Sequence, residues 1–537
     1  AKIDIRNVIV GDETLSILEI WGAEYPENDA ILVEKENIKL FSILCERERL
    51  PWSIIGEVTG DGKLIVYDSK NNQIAVNFDL KDVLGEIPKK EFRLQTIQRK
   101  LEPLKLPETL TLKDALNMVL RLLSVGSKRF LTNKVDRSVT GLIARQQCAG
   151  PVQLTVSDVC VVAQSYFNKT GIAHAIGEQP IKGLINPEAM ARLSVTEALT
   201  NILWAKITDI EDIKCSANWM WAAKLPGEGV KLYKAAHAMA DFMIKLGIAI
   251  DGGKDSLSMA AKVKTSQGVE VVKSPGTLVI SAYAPCPDIQ KVITPDIKYP
   301  GESVILFIDL SNGKRRIGGT ALAQCMGQLG NESPDMENPE LLKKVFRAIQ
   351  TLIDKKLILS GHDRSDGGLI TTLLEMAFSG SCGLHIKIKE TSSDNIIAEL
   401  FNEEPGLAIE VDIKKLDKVV KFLMQNEIPF YRIADTLKEN KIIIENADKI
   451  IFDEPMTSLR DIWEETSYRI DMLQANPECV KEEKKAIYDR VSPHYKLSFI
   501  PERTPEIILK RKAKPLVAII REEGSNGDRE MAAAFYM

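Results

Sequence analysis

The amino-acid sequence predicts an α/β (α+β) protein built on an internal duplication, and three observations carry that reading. Helical and strand-like hydrophobic patterns alternate through most of the 537 residues. The segment Ile31–Val66 can be laid on Ile409–Ile444 without a gap. The composition, 45% hydrophobic and 27% charged, is that of globular protein, with room for three or four domains.

The same totals exclude several function classes. A net charge of −5 gives no reason to expect nucleic acid or an anionic membrane as partner. No apolar run approaches the length of a bilayer span, and the opening residues do not resemble a signal peptide. The eight cysteines include no CxxC pair, which argues against structural zinc and a disulfide framework and for a reducing, cytoplasmic setting. Five histidines make a His-rich metal site unlikely to be the chemistry here.

In chain order, residues 1–100 are expected to be the C-terminal part of a first half and hold the first copy of the repeat. Its apolar strand Ile31-Leu32-Val33 follows the turn Glu24-Tyr25-Pro26, as Ile409-Glu410-Val411 follows Glu403-Glu404-Pro405. A helix comes next, then Pro51-Trp52 and Pro429-Phe430 at the same offset, a strand, a turn and a closing strand. Copies this far apart imply that each belongs to a two-domain half. After the loop 101–107, residues 108–287 alternate helical stretches (112–124, 186–206, 230–247) with strand-like runs (152–164, 247–251, 269–284). A new start follows Pro285-Cys286-Pro287, and 296–455 repeats the α/β alternation. Residues 456–514 read as a charged helical segment and a proline-bearing linker. Pro515–Ile520 reads as a buried strand and Glu522–Asn526 as a turn into a helix near Asp528. A strand–loop–helix unit cannot bury its own faces, so 515–537 is expected to begin a further α/β domain, and the chain to be an internal stretch of a longer protein.

Three strings could carry chemistry. Asp158 interrupts the apolar run Gln153–Val162, and Glu197 and Asn201 stand four apart in Ser194–Leu203, on one helix face. A carboxylate and an amide oxygen on one face, with a second acid from a strand end, are the hard oxygen ligands that Mg²⁺ prefers. An exposed helix face is the alternative. Gly361-His362-Asp363-Arg364-Ser365-Asp366-Gly367-Gly368 lies between the apolar run Leu357–Leu359 and a helix Leu369–Phe378. A glycine-rich turn there presents N–H groups to an anion, with Asp363 facing a cation and Ser365 a phosphate or ribose. An N-cap at Ser365 or Asp366 is the plainer reading, and His362 alone reads as structural. In Asp251-Gly252-Gly253-Lys254-Asp255, the glycines allow close backbone approach and Lys254 suits a phosphate, while a hairpin turn fits equally. The GxxxxGK[ST] spacing is absent.

Together these strings resemble one family, the phosphoribosylformylglycinamidine synthases, in their large form with a fused glutamine amidotransferase domain. The resemblance is carried by GDETLSILEIWGAEY, KRFLTNKVDRSVTGL, EALTN, KCSANWMWAAKLPGEG, GGKDSLSM, SPGTLVISAYA, GGTALAQ, GHDRSDGGL, LFNEEPGL and REEGSNGDREMAAAF, spread over the whole chain. WMWAAKLPGEG is similar to the eukaryotic form; Pro26 departs from the pattern in a loop. The resemblance implies a duplicated fold related to aminoimidazole ribonucleotide synthetase, each half a barrel-forming domain with a flanking α/β domain. It implies ATP-dependent conversion of formylglycinamide ribonucleotide, with glutamine as nitrogen donor, to formylglycinamidine ribonucleotide. Carried over position by position, it assigns Asp158, Glu197, Asn201 and Asp363 to Mg²⁺, and Ser157, Ser365 and Lys128 to ATP or ADP. It further implies that this second-half site is auxiliary or structural. The catalytic glycine-rich loop and the glutaminase residues would then lie outside this chain, in the remainder of the parent. Two rival readings stand beside it: another ATP-dependent member of the same superfold, and a non-catalytic scaffold tied together by a trapped nucleotide.

Overall fold

The computed structural model describes all residues except 26, 86–87, 98, 133–134, 136, 389–392, 489–495, 501 and 503; Pro26 therefore lies outside the described residues. The chain divides into two units, Ala1–Arg93 and Leu94–Met537.

In the first unit, Lys2–Asp4 (β1), the helix Ile38–Glu48 (α1), Gly56–Glu57 (β2), Lys63–Asp68 (β3) and Gln73–Asp79 (β4) give one sheet in the order β2-β1-β3-β4. Lys2 on β1 pairs antiparallel with Glu57 and parallel with Ile65. Its core is small: Ile5, Cys45 and Val66 are buried, and buried Asp68 is held by Arg6 at 2.8 Å. The predicted strand Ile31–Val33 is not formed, and Leu32 is 85% exposed. Its counterpart in the second copy lies between two strands, and a strand without ladder partners leaves its N–H and C=O groups to water.

The second unit has two large sheets. Ile143–Arg145 (β5), Cys160–Ala163 (β6), Gly171–Glu178 (β7), the helix Pro187–Ile202 (α2), Lys214–Met220 (β8), the helix Glu228–Leu246 (α3), Ala249–Ser256 (β9) and Thr277–Cys286 (β10) form the first layer pair. The strand order is β9-β8-β10-β7-β6-β5. Side chains of β7 alternate buried and exposed, the period of a strand with one covered face. The covered face meets α2; the other leaves Ile172 and Ile176 half open to solvent.

Ser303–Asp309 (β11), Ser360–Asp363 (β12), the helix Gly368–Gly380 (α4), Gly383–Ile388 (β13), Gly406–Asp412 (β14), the helix Leu416–Gln425 (α5), Phe430–Leu437 (β15), Lys441–Asn446 (β16) and Lys449–Pro455 (β17) follow, then the long helix Met456–Gln474 (α6). Their sheet runs β12-β14-β11-β15-β13-β16-β17. Its last four strands repeat the first unit's sheet down to register. His385 on β13 pairs antiparallel with Asp435 and parallel with Ile443, which stand at the same offset from Glu57 and Ile65 as Ile409 from Ile31. The duplication is thus visible as matched ladders. Helix α2 is buried on nearly all sides, and its apolar residues share one core with β7, β10, β11 and β14.

Several predicted elements shift. The glycines of Asp251–Asp255 lie inside strand β9, paired in parallel with β8, rather than in a turn. Gly361, His362 and Asp363 likewise belong to strand β12, and the turn is confined to Arg364–Gly367. Gly361 serves packing, since a Cβ there would stand 2.1 Å from the Trp204 ring. The charged helical stretch resolves into α6 and a helix over Pro477–Ala486. Pro515–Ile520 forms no strand and exposes Leu516 and Ile520 fully or nearly so, while the helix Asp528–Tyr536 does form. Among the described residues no helix is long and apolar enough to cross a membrane.

Candidate metal centre

Helix α2 is anchored at its start by Asn186, whose Oδ1 accepts from the N–H groups of Glu188 and Ala189 at 3.0 and 3.1 Å, with Pro187 at the first helical position. It approaches β7 closely because position 177 is glycine: a Cβ there would lie 2.2 Å from the Ser194 carbonyl oxygen. At that distance two polar side chains of α2 reach the strand. Glu197 Oε2 accepts from the Glu178 N–H at 2.7 Å, and Asn201 Nδ2 donates to the Ile176 carbonyl at 2.9 Å. The second bond fixes the Asn201 amide so that Oδ1 faces away from the strand, where it is buried without a partner.

Asp158 precedes β6, and Asp363 ends β12, which pairs with β14 through Asp363 and Leu407. Between the two acids stands His362. Its Nδ1 is 2.8 Å from Asp158 Oδ1 and 3.7 Å from Asp363 Oδ1, and its Nε2 is 3.0 Å from Glu375 Oε2 on α4. Asp158, His362 and Asp363 can present ligand atoms all within 4.8 Å of one another. Thr200 Oγ1 donates to Asp363 Oδ2 at 3.4 Å. Asp158 Oδ2, like Asn201 Oδ1, is buried and has no hydrogen-bond partner among the described residues.

The electrostatics suit a cation. Burial raises the Asp158 carboxyl against the pull of His362. Burial and the neighbouring Asp158 charge push Asp363 up to about 7. Burial, with Asp363 and Asp366 nearby, lifts Glu197 well above the usual carboxylate range. Burial disfavours the His362 imidazolium, yet Asp158 and Glu375 on its two nitrogens more than offset this, and its pKa is well above the ordinary value. A buried group of acids that repel one another is costly without a counter-charge. Carboxylate and amide oxygens such as those of Asp158, Asn201, Glu197 and Asp363 are the hard donors that could hold Mg²⁺, which ordinarily keeps water and phosphate as its other ligands. His362, flanked by Asp158 and Glu375 on its two nitrogens, stands as a cation beside that set.

Lys128 stands close by, donating to the Ser124 carbonyl at 3.1 Å and to that of Gly126; burial lowers its pKa against the charges of Glu375 and Asp366. Ser157, beside Asp158, receives a bond from Arg145 Nε at 3.3 Å. Ser365 lies half-buried in the turn after β12, where its carbonyl accepts from the Gly368 N–H. Asp158 and Asp363 thus meet at His362, Thr200 of α2 reaches Asp363, Glu197 and Asn201 lie on the same helix against β7, and Ser157 and Ser365 sit on the segments next to the two acids. Lys254 is not among them. It is exposed on the edge strand β9, four ladder steps from β6, roughly 19 Å at ordinary strand spacing.

Residues beyond the sequence reading complete the surroundings. Buried Lys182 lies 3.2 Å from Asp366 and contacts Glu403, whose Oε1 also accepts from the N–H groups of Ala321 and Gly367. Glu375 is the lone acid of the apolar helix α4, a signal that periodicity treats as noise. A cavity of about 920 Å³, lined by Lys231, Lys234 and Lys314 among others, shares no residue with this cluster.

Comparison with known proteins places the sequence. The family model described as FGAR-AT PurM_N-like domain matches residues 127–285. The model described as AIR synthase related protein, C-terminal domain, matches twice, over 1–69 and 300–445, which are the two copies of the repeat. Phosphoribosylformylglycinamidine synthase of Dictyostelium discoideum is 49% identical over all of this chain and 42% of its own length. That of Homo sapiens is 47% identical over 98% of this chain and 40% of its own length. The chain thus spans about two fifths of the curated relatives it matches. Among solved structures, Thermotoga maritima PurL complexed with FGAR is similar at 12% identity and a TM-score of 0.49, covering 74% of this chain and 56% of that one.

Proposed function

Because the chain belongs to the phosphoribosylformylglycinamidine synthase family, we propose that it supplies that enzyme with a Mg²⁺–nucleotide site built from both of its matched domains. In this reading the parent is an ATP-dependent ligase of purine biosynthesis. It converts formylglycinamide ribonucleotide, ATP and glutamine to formylglycinamidine ribonucleotide, ADP, phosphate and glutamate. The observation that carries the site is the pair of buried, unpartnered oxygens, Asp158 Oδ2 and Asn201 Oδ1, beside the acids Glu197 and Asp363.

Asp158, Glu197, Asn201 and Asp363 would hold the metal, and Ser157, Ser365 and Lys128 the nucleotide. Bound there, Mg²⁺ would neutralise the phosphate oxygens of ATP or ADP. The protein's part is to fix the ligands: β7 orients Glu197 and Asn201, and His362 holds one oxygen of Asp158. Lys254 takes no part in this site.

An auxiliary, structural role fits the distribution of ligands. Asp158, Glu197 and Asn201 fall in the 127–285 match and Asp363 and Ser365 in the 300–445 match, so a metal and nucleotide would tie the two domains together. The half-open outer face of the β5–β10 sheet, with Ile172 and Ile176, supports a barrel-forming role for the first of them.

Equilibrium dialysis of the chain against labelled ADP, with Mg²⁺ and with EDTA, tests the proposal. Stoichiometric, Mg²⁺-dependent retention is expected; retention that ignores the metal would contradict the ligand set.

A further inference from the structure

Helix α6 (Met456–Gln474) lies outside the ranges of both domain matches, yet its Trp463 is fully buried and reaches into the surroundings of the metal centre. The Trp463 indole N–H is shared between Glu375 Oε1 at 3.2 Å and the Val125 carbonyl at 3.0 Å. The other oxygen of Glu375 meets His362 Nε2 at 3.0 Å, and His362 Nδ1 meets Asp158 Oδ1 at 2.8 Å. Contacts therefore run from Trp463, on a helix beyond both matched domains, to a proposed metal ligand: hydrogen bonds through Glu375 to His362, then an ion pair from His362 to Asp158. They end on one oxygen of Asp158 and leave the other, Oδ2, bare. The same tryptophan ties down the loop that carries Lys128, because its backbone carbonyl accepts from the Ser127 N–H at 3.0 Å.

We infer that Glu375 and Trp463 are positioning residues for the metal ligand Asp158: they hold His362 upright against Asp158 Oδ1, so that Oδ2 faces the metal. The inference rests on the Mg²⁺–nucleotide reading above and adds residues that touch neither metal nor nucleotide. Two features favour positioning over plain packing. Glu375 is a carboxylate on an otherwise apolar helix, and both of its oxygens are engaged in this one chain. His362 is hydrogen-bonded to Glu375 at Nε2, and its Nδ1 lies at ion-pair distance, 2.8 Å, from Asp158 Oδ1, so carboxylates flank the ring on both sides. Outer partners of this kind, which orient a ligand from behind, typically contribute 10–100-fold to metal affinity.

The test uses the whole chain with Mn²⁺ as probe, in the presence of ADP. Free Mn²⁺ is followed by its electron paramagnetic resonance signal, well below the melting temperature of every variant. Wild type, Asp158→Asn, Glu375→Gln and Trp463→Phe are compared. The expected result is tight binding in wild type, none in Asp158→Asn, and a dissociation constant raised about 10–100-fold in each of the other two. Trp463→Phe removes the N–H donor together with part of the ring while keeping an aromatic side chain in the core, so it carries the test where Glu375→Gln does not fold. A merely structural role would lower the melting temperature of these variants and leave the Mn²⁺ dissociation constant unmoved. Wild-type affinity in both, with binding abolished in Asp158→Asn, overturns the positioning role alone. Absence of Mn²⁺ binding in folded wild type overturns the site reading, and the positioning role with it.

Discussion

Asp158 is held by His362 through one oxygen and left bare at the other, and this asymmetry governs what substitutions there should do. Asp158→Asn keeps the shape and removes the charge. It is expected to weaken Mg²⁺–ADP binding by at least the 10–100-fold typical of losing an outer partner, measured by titration calorimetry. The pH dependence has a definite sign. Asp363 binds its proton up to about pH 7 in the native chain, against 3.8 as its ordinary value. Between those values the native state binds more protons than the unfolded one, so metal-free stability falls as pH rises. Glu197 acts in the same direction. The melting temperature in EDTA should therefore drop between about pH 5 and pH 7.5, and Asp363→Asn should reduce that drop. The local placement of these residues was legible in the sequence. The i, i+4 pair Glu197/Asn201 and the acid ending an apolar run are local patterns that a helix and a strand preserve. Lys254 misled because two glycines read equally well as a turn, a cradle or an edge strand, and only pairing with β8 decides among them. Glu375 and Trp463 were illegible because they act on Asp158 from more than 200 residues away.

Among the elements, the closeness of α2 to β7 sets the metal site. The missing Cβ of Gly177 would meet the Ser194 carbonyl at 2.2 Å and the Ala198 N–H nitrogen at 2.4 Å. Gly177→Ala should push the helix outward and cost about 1–3 kcal/mol, as overpacking does, read from urea denaturation. It should also weaken metal binding, since Glu197 and Asn201 are aligned by their bonds to that strand. The elements that sequence reading missed share one physical cause. Ile31–Val33 and Pro515–Ile520 have the apolar pattern of buried strands, but a strand exists only where neighbours take up its backbone groups, and neither segment pairs with any described strand. By contrast, the repeat survived as matched ladder registers because helix, turn and strand lengths were all retained together.

At the scale of the whole molecule, the two units should respond differently to ligand. The proposed site lies wholly within Leu94–Met537, and the first unit buries few side chains. A ligand that binds only the native site stabilises by about 2.7 kcal/mol at one hundred times its dissociation constant. Calorimetry with Mg²⁺–ADP should move the transition of the larger unit upward and leave the hydrogen exchange of residues 1–93 unchanged. A uniform shift of both would argue that the nucleotide acts elsewhere.

The most direct measurement is on the purified chain itself. It is denatured, any released nucleotide is identified by chromatography, and the procedure is repeated after loading with Mg²⁺–ADP, for wild type and for the double variant Asp158→Asn/Glu197→Gln. The account predicts stoichiometric ADP or ATP from wild type and none from the double variant. Folded wild-type protein that carries no nucleotide and takes up none with Mg²⁺ would contradict it.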